Sequence, residues 1–299
     1  MKDVAASLDT RGITVQRVGV KDVHLPVRVR RKGAGFDSVL ARIDLAVELP
    51  HQFRGTHMSR FVDILFQWSQ QPISKPDLEE MLQGARDRLG ARRAQIEVFF
   101  KYFITKQAPV STSESALDYD CSFEGILDND DYTFTLGVEV PVTILCPCSK
   151  EISNYGAHNQ RAIIKARIRY RAEVMVWIED LVAMLERQGS AEIFPLLKRE
   201  DEKAVTEAAY EHPKFVEDVV REVVAILRSD PRVTWFQVSC ESLESIHNHT
   251  VYAFQEEGKT TPPPAGLPAD LAGAEGDPAP PSETTSRAGP LRPQGEGAS

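Results

Sequence analysis

The chain has 299 residues, 42% of them hydrophobic and 26% charged, with a formal net charge of −9. That length supports one large or two small domains with a sizeable core, and the composition excludes wholesale disorder. The acidic balance excludes a generic nucleic-acid binder, which needs a basic face, but leaves room for a nucleotide substrate, because a phosphate site takes only a few Lys, Arg and backbone N–H groups.

The opening MKDVAASLDTRG mixes acidic and basic residues without an apolar h-region, so it does not read as a signal peptide. No apolar run approaches the ~20 residues that span a bilayer, so no membrane partner and a cytoplasmic location are expected. Alternation in VHLPVRVRRK and SVLARIDLAVELP predicts two strands, with a hairpin connection near Gly33 to Gly35. Helical spacing of Phe61, Ile64, Leu65 and Trp68 predicts a helix over MSRFVDILFQWSQQ, and Ser74 with Pro76 announces a second over KPDLEEMLQGARDRL. The β-branched and aromatic residues of ARRAQIEVFFKYFITKQ and SALDYDCSFEGIL predict two more strands.

The second half runs through the same order. YTFTLGVEVPVTIL and RAIIKARIRYRAEVMVW read as strands, WIEDLVAMLERQG and PKFVEDVVREVVAILRSD as helices, and VTWFQVSCES with TVYAFQEE as closing strands. A strand-strand-helix-helix-strand-strand plan thus occurs twice, which implies an α+β fold of two related modules, each an antiparallel sheet with two helices on one face. The boundaries fall at 1–128 and 129–257. From 258 to 299 the composition turns to Pro, Gly, Ala and Ser without an aromatic residue, which predicts a disordered tail.

Four cysteines are few for this length, and Cys146 and Cys148 stand too close for an easy mutual disulfide, so thiol or metal chemistry is expected. Within CPCSKEISNYGAHNQR, Cys146 and Cys148 precede His158 by twelve and ten residues. Thiolate and imidazole suit a borderline transition metal; two small buried cysteines and a surface histidine are the other reading. In ESIHNH, residues Glu244, His247 and His249 follow a strand; at an extended strand end, i and i+2 place both imidazoles on one side, beside a carboxylate, as proton transfer near pH 7 requires. A polar turn is the bland alternative. The carboxylates Glu200, Asp201, Glu202, Glu207 and Glu217 lie among helical apolar positions, where most such groups are a solvated face. HQFRGTHMSRF gathers His51, Arg54, His57, Ser59 and Arg60 at a strand-to-helix junction, which suits a phosphate or a simple capped helix start.

Taken in order, GTHMSRF, CPCSKEISNYGAHNQR, LLKREDEKAVTEAAYEHPKFVEDVVREV and ESIHNHTVYA resemble the type IB GTP cyclohydrolase family, over a stretch from near Asp9 to about Ala253. Glu200 stands where proline is commoner in that family, while the adjacent Asp201-Glu202-Lys203 matches. The resemblance implies tandem tunnelling-fold modules, a homotetramer with active sites at subunit interfaces, and GTP as substrate. It implies Cys146, His158 and Glu202 as ligands of zinc, manganese or iron with one position open for water, Glu217 as the purine anchor, and Glu244, His247 and His249 as the catalytic wall. The role of Cys148 stays open. A metal that lowers the pKa of water to about 7 would supply the nucleophile for C8 of guanine, and the histidines would move protons during ring opening. The expected products are formate and 7,8-dihydroneopterin triphosphate. His57, Ser59, Arg60, Lys150 and Arg161 are candidates for the triphosphate. An archaeal-type cyclohydrolase yielding a cyclic phosphate and a noncatalytic metal scaffold are the alternatives.

Overall fold

The computed structural model describes residues 5, 7–33 and 35–259. The predicted tail lies outside these from residue 260 onward; before that point the closing strand runs to Gly258, and Lys259 N donates to Thr234 O at 2.8 Å.

The elements in order are β1 (Val15–Arg30), β2 (Phe36–Leu49), α1 (Met58–Ser69), β3 (Pro72–Ile73), α2 (Lys75–Leu89), β4 (Arg93–Gln107), β5 (Glu114–Asp128) and β6 (Asp131–Leu145). Then follow α3 (Pro147–Ile152), β7 (Asn159–Tyr170), α4 (Ile178–Glu186), β8 (Ala191–Glu192), α5 (Arg199–Glu211), α6 (Val216–Ser229), β9 (Val233–Leu243) and β10 (Thr250–Gly258). All the described strands join one sheet of order β10-β9-β7-β6-β5-β4-β2-β1-β3, with β8 paired to β6. Apart from the short β1–β3 pairing, the ladders are antiparallel. The two halves meet in the tight β5–β6 hairpin, where Asp128 pairs with Asp131 and Asn129 takes φ 52°, a left-handed value that asparagine tolerates.

Period-two alternation decides which face is covered. Ala94, Ile96, Val98 and Phe100 of β4, Val138, Val140 and Val142 of β6, Ala162, Ile164 and Ala166 of β7, and Phe236, Val238 and Cys240 of β9 are buried, and the helices pack on that face. The intervening positions carry charge: Lys165 pairs with Glu241 at 3.1 Å, and Lys101 with Asp118 and Asp120 at 3.0 and 2.8 Å. α6 shows the logic of the covering layer. Val216, Val219, Val220, Val223, Val224 and Leu227 form one buried stripe, each side chain contributing about 1.5–3 kcal/mol relative to exposure. α2 ends at Gly90, whose φ of 64° supplies the left-handed cap that non-glycine residues resist.

Three local expectations are corrected. Residues 171–177 were expected to continue a strand, but β7 stops at Tyr170; the chain then leaves the sheet to bury Val176 and start α4 on the core. Between β7 and β9 stand three long helices, not two, because α5 forms over the acidic segment. Residues 244–249 form a bent loop between β9 and β10 rather than an extended strand end.

Candidate active site

The site grows out of strand register. β6 and β7 pair through Leu145 and Asn159; one step beyond, Cys146 N donates to His158 O at 3.1 Å, so these residues stand opposite each other. Alternation carries both to the helix-covered face, in line with Ile144 and Val142 on one strand and Ala162 and Ile164 on the other. The short α3 ties the pair together. Cys146 caps it, its Sγ accepting from Ser149 N at 3.5 Å; the Ser149 hydroxyl donates to Cys146 O at 3.1 Å and accepts from His158 N at 3.2 Å. Cys148 is exposed on the first turn of that helix.

The β7–β9 ladder adds a third strand. Ala162 pairs with Ser242, and continuing that register sets Gln160 opposite Glu244. His158 Nδ1 lies 2.9 Å from Gln160 Oε1, and Gln160 Nε2 donates to Glu244 Oε1 at 3.0 Å. That oxygen also accepts the buried Ser242 hydroxyl at 3.1 Å, while Ser245 Oγ lies 3.3 Å from His158 Nδ1. His247 and His249 follow in the exposed loop, their rings stacked at 5.2 Å between centroids and 6° between planes.

Glu217 sits in the first turn of α6, whose approach is pinned to the same sheet end by Lys214 N donating to Leu145 O at 3.1 Å. The carboxylate is exposed, but close enough to the sheet to act on Cys240. Burial pushes that thiol up to about 12, with Glu241 and Glu217 adding to the effect.

Of the remaining sequence candidates, Lys150 lies within α3, its N donating to Cys146 O at 3.1 Å. Glu202 is exposed in the first turn of α5, and Tyr210, eight residues later and about 12 Å along the helix, is the residue whose carbonyl accepts from Lys150 Nζ. The Lys150 ammonium also lies 4.3 Å from the Tyr210 ring centroid. Asp201, beside Glu202, is fully buried. Burial works to raise its carboxyl, but hydrogen bonds from the Ser111 hydroxyl and from the Ser111, Lys198 and Val110 amides outweigh it and hold the group well below the usual range. Arg161 is exposed, at an odd position of β7, on the face opposite His158. His57, Ser59 and Arg60 open α1 just beyond Leu49, at the sheet end that holds Asp131 rather than Leu145. β6 alone separates those ends by roughly 46 Å along the strand.

Cys146 and His158 therefore offer a thiol and an imidazole side by side, the donor chemistry a borderline divalent metal prefers. Among the described residues, however, no three His, Cys, Asp or Glu side chains come together to hold an ion. Gln160, Ser149 and Ser242 are site residues that the sequence reading missed. Gln160 had one available signal, its i+2 spacing from His158 in a strand.

The family profile described as Type I GTP cyclohydrolase folE2 matches residues 1–253. The chain is 50% identical over 259 residues to GTP cyclohydrolase FolE2 of Geotalea uraniireducens, covering 87% of this chain and 94% of that protein. With GTP cyclohydrolase FolE2 of Syntrophotalea carbinolica it shares 51% over 256 residues, covering 86% and 95%. Among solved structures, uricase from Arthrobacter globiformis is similar in fold, with a TM-score of 0.53 at 11% identity, covering 86% of this chain and 96% of that one.

Proposed function

The chain belongs to the Type I GTP cyclohydrolase folE2 family, and from that premise we propose that it opens GTP at the sheet end where Cys146, His158, Gln160 and Glu244 meet. GTP cyclohydrolase activity in folate and pterin synthesis is the function of the chain. The observation that carries the location is the continuous network from the Cys146–His158 cross-strand pair through Gln160 to Glu244.

In this reading Cys146 and His158 are two ligands of a divalent metal, zinc, manganese or iron, and Glu202 is the third, reaching them as chains assemble. When bound, such an ion makes water nucleophilic near neutral pH. Glu244 accepts a proton from the water that attacks C8 of guanine and returns it to N7, held in place by Ser242 and Gln160. His247 and His249, adjacent in the loop that Glu244 begins, exchange protons with the opening ring. Glu217 pairs with N1–H and the exocyclic amine of guanine, which adenine cannot offer.

The separation between His57, Ser59 and Arg60 and the Cys146 end supports a site built from more than one subunit, since a nucleotide is shorter than β6. A homotetramer with interfacial sites meets that need, with Lys150 and Arg161 further candidates for the triphosphate. A tandem-module origin is supported by two strand pairs enclosing helices on each side of the β5–β6 hairpin, with α5 an additional helix in the second half, the type IB assignment by the motifs around Cys146, His158 and Glu202, and a cytoplasmic setting by the free cysteines. Mass analysis of the product from GTP tests the reading: 7,8-dihydroneopterin triphosphate is expected, and a cyclic phosphate would overturn it.

A further inference from the structure

We propose that Gln160 is a positioning residue that sets the tautomer of His158 and couples that ring to Glu244; the functional consequence rests on the reading of His158 as a ligand and Glu244 as a proton-transfer group. Gln160 is half-buried at the start of β7, on the same face as His158 two residues before it and, by continuation of the β7–β9 register, opposite Glu244, the first residue beyond β9. Its amide meets both neighbours, Oε1 at 2.9 Å from His158 Nδ1 and Nε2 at 3.0 Å from Glu244 Oε1.

The orientation of that amide follows from what each neighbour accepts. A carboxylate oxygen is an acceptor, so the NH₂ group belongs on the Glu244 side; the opposite flip would set two acceptors against each other. Glu244 Oε1 is further fixed by the Ser242 hydroxyl at 3.1 Å, on a side chain buried in β9. With the amide so held, its oxygen faces His158 Nδ1 and accepts a hydrogen bond only if Nδ1 carries the proton. The Ser245 hydroxyl, at the longer distance of 3.3 Å, can accept from the same N–H. A neutral imidazole protonated at Nδ1 presents its Nε2 lone pair outward, the form a metal ligand requires. One side chain thus prepares the ligand atom of His158 and restrains the carboxylate of Glu244.

The test uses the full-length chain carrying ¹⁵N-labelled histidine and stripped of metal. Only seven histidines contribute, and His158→Ala identifies the signal of interest. In the unmodified chain the His158 ring is expected to be protonated at Nδ1; in Gln160→Met, which keeps the volume but loses the amide, the proton moves to Nε2 and zinc retention in chelator competition weakens by about 10- to 100-fold. Gln160→Glu separates the two halves of the role. Its carboxylate still accepts from Nδ1, so tautomer and zinc retention stay native, but it faces Glu244 with like charge, so kcat for GTP falls by about tenfold or more with KM little changed. An unmoved Nδ1 proton in Gln160→Met, or native kcat in Gln160→Glu, overturns the proposal. Failure of the underlying reading looks different: His158→Ala would keep its zinc, while the tautomer response to Gln160→Met would persist.

Discussion

Asp201 Oδ2 accepts the Ser111 hydroxyl at 2.6 Å while Asp201 Oδ1 accepts the amides of Val110 and Ser111 at 2.9 and 2.8 Å, which bolts the first turn of α5 to the β4–β5 connection. Glu202 is the next residue, so this buried carboxylate determines where it can reach. Asp201→Ala is expected to raise hydrogen exchange at the Val110 and Ser111 amides by about tenfold or more, since each loses a charged acceptor. Unchanged protection at both amides would show that the turn holds itself.

Lys106 and Glu186 form a second inter-element contact. Both side chains are 7% exposed, with Nζ 2.6 Å from Oε1, and the same carboxylate oxygen accepts the Tyr119 hydroxyl at 2.7 Å. This joins α4 to β4 and β5 and so spans the two halves of the chain. Lys106→Met leaves a buried carboxylate without its cation, and a loss of about 3 kcal/mol in unfolding free energy is expected by denaturant titration. A loss within the scatter of an exposed pair, below about 1 kcal/mol, would mean that water reaches Glu186.

The thiols should separate by burial. Cys240 is pushed up to about 12 by desolvation, and Cys121 is raised by the same cause. Because the folded value of Cys240 lies above the unfolded value of about 8.5, its contribution to stability is complete below that pH and declines as pH rises toward 12. Iodoacetamide at pH 8 is therefore expected to modify exposed Cys148 and partly exposed Cys146, but to reach Cys121 and Cys240 only after denaturation. Early labelling of Cys240 by mass spectrometry would contradict the packing of β9 beneath α6.

Glu217→Gln should keep the fold, because the buried stripe of α6 begins at Val216 and does not include Glu217. It should nevertheless lower kcat/KM for GTP by about ten- to a hundredfold, since an amide accepts one of the two guanine hydrogen bonds and turns a donor toward the other. A solvated carboxylate with no role would give kinetics unchanged from the parent.

Much of the fold was legible because it rests on local signals. Ser74, Pro76 and the apolar spacing of residues 78–85 delimit α2, and Gly33 with Gly35 marks the turn before β2. The site was legible where chemistry sits in a short segment, as with Cys146 and His158 on the two sides of one hairpin. What escaped depends on register between distant strands. Gln160 is an ordinary strand glutamine until β9 sets Glu244 opposite it. Residues 171–177 alternate like a strand, yet burial of Val176 and Ile178 against the core takes precedence over pairing. The distance between His57 and Cys146 is likewise invisible in composition; it follows from antiparallel ladders that put Leu49 and Leu145 at opposite ends of the sheet.

The most direct test is formate release from GTP, measured with bound metal in the same samples, for the parent chain and for Cys146→Ala and His158→Ala. Loss of a ligand from the paired thiol and imidazole is expected to remove most of the metal and, with it, formate production. Stoichiometric metal and parental formate release in either variant would contradict the assignment of catalysis to the Cys146–His158 end of the sheet.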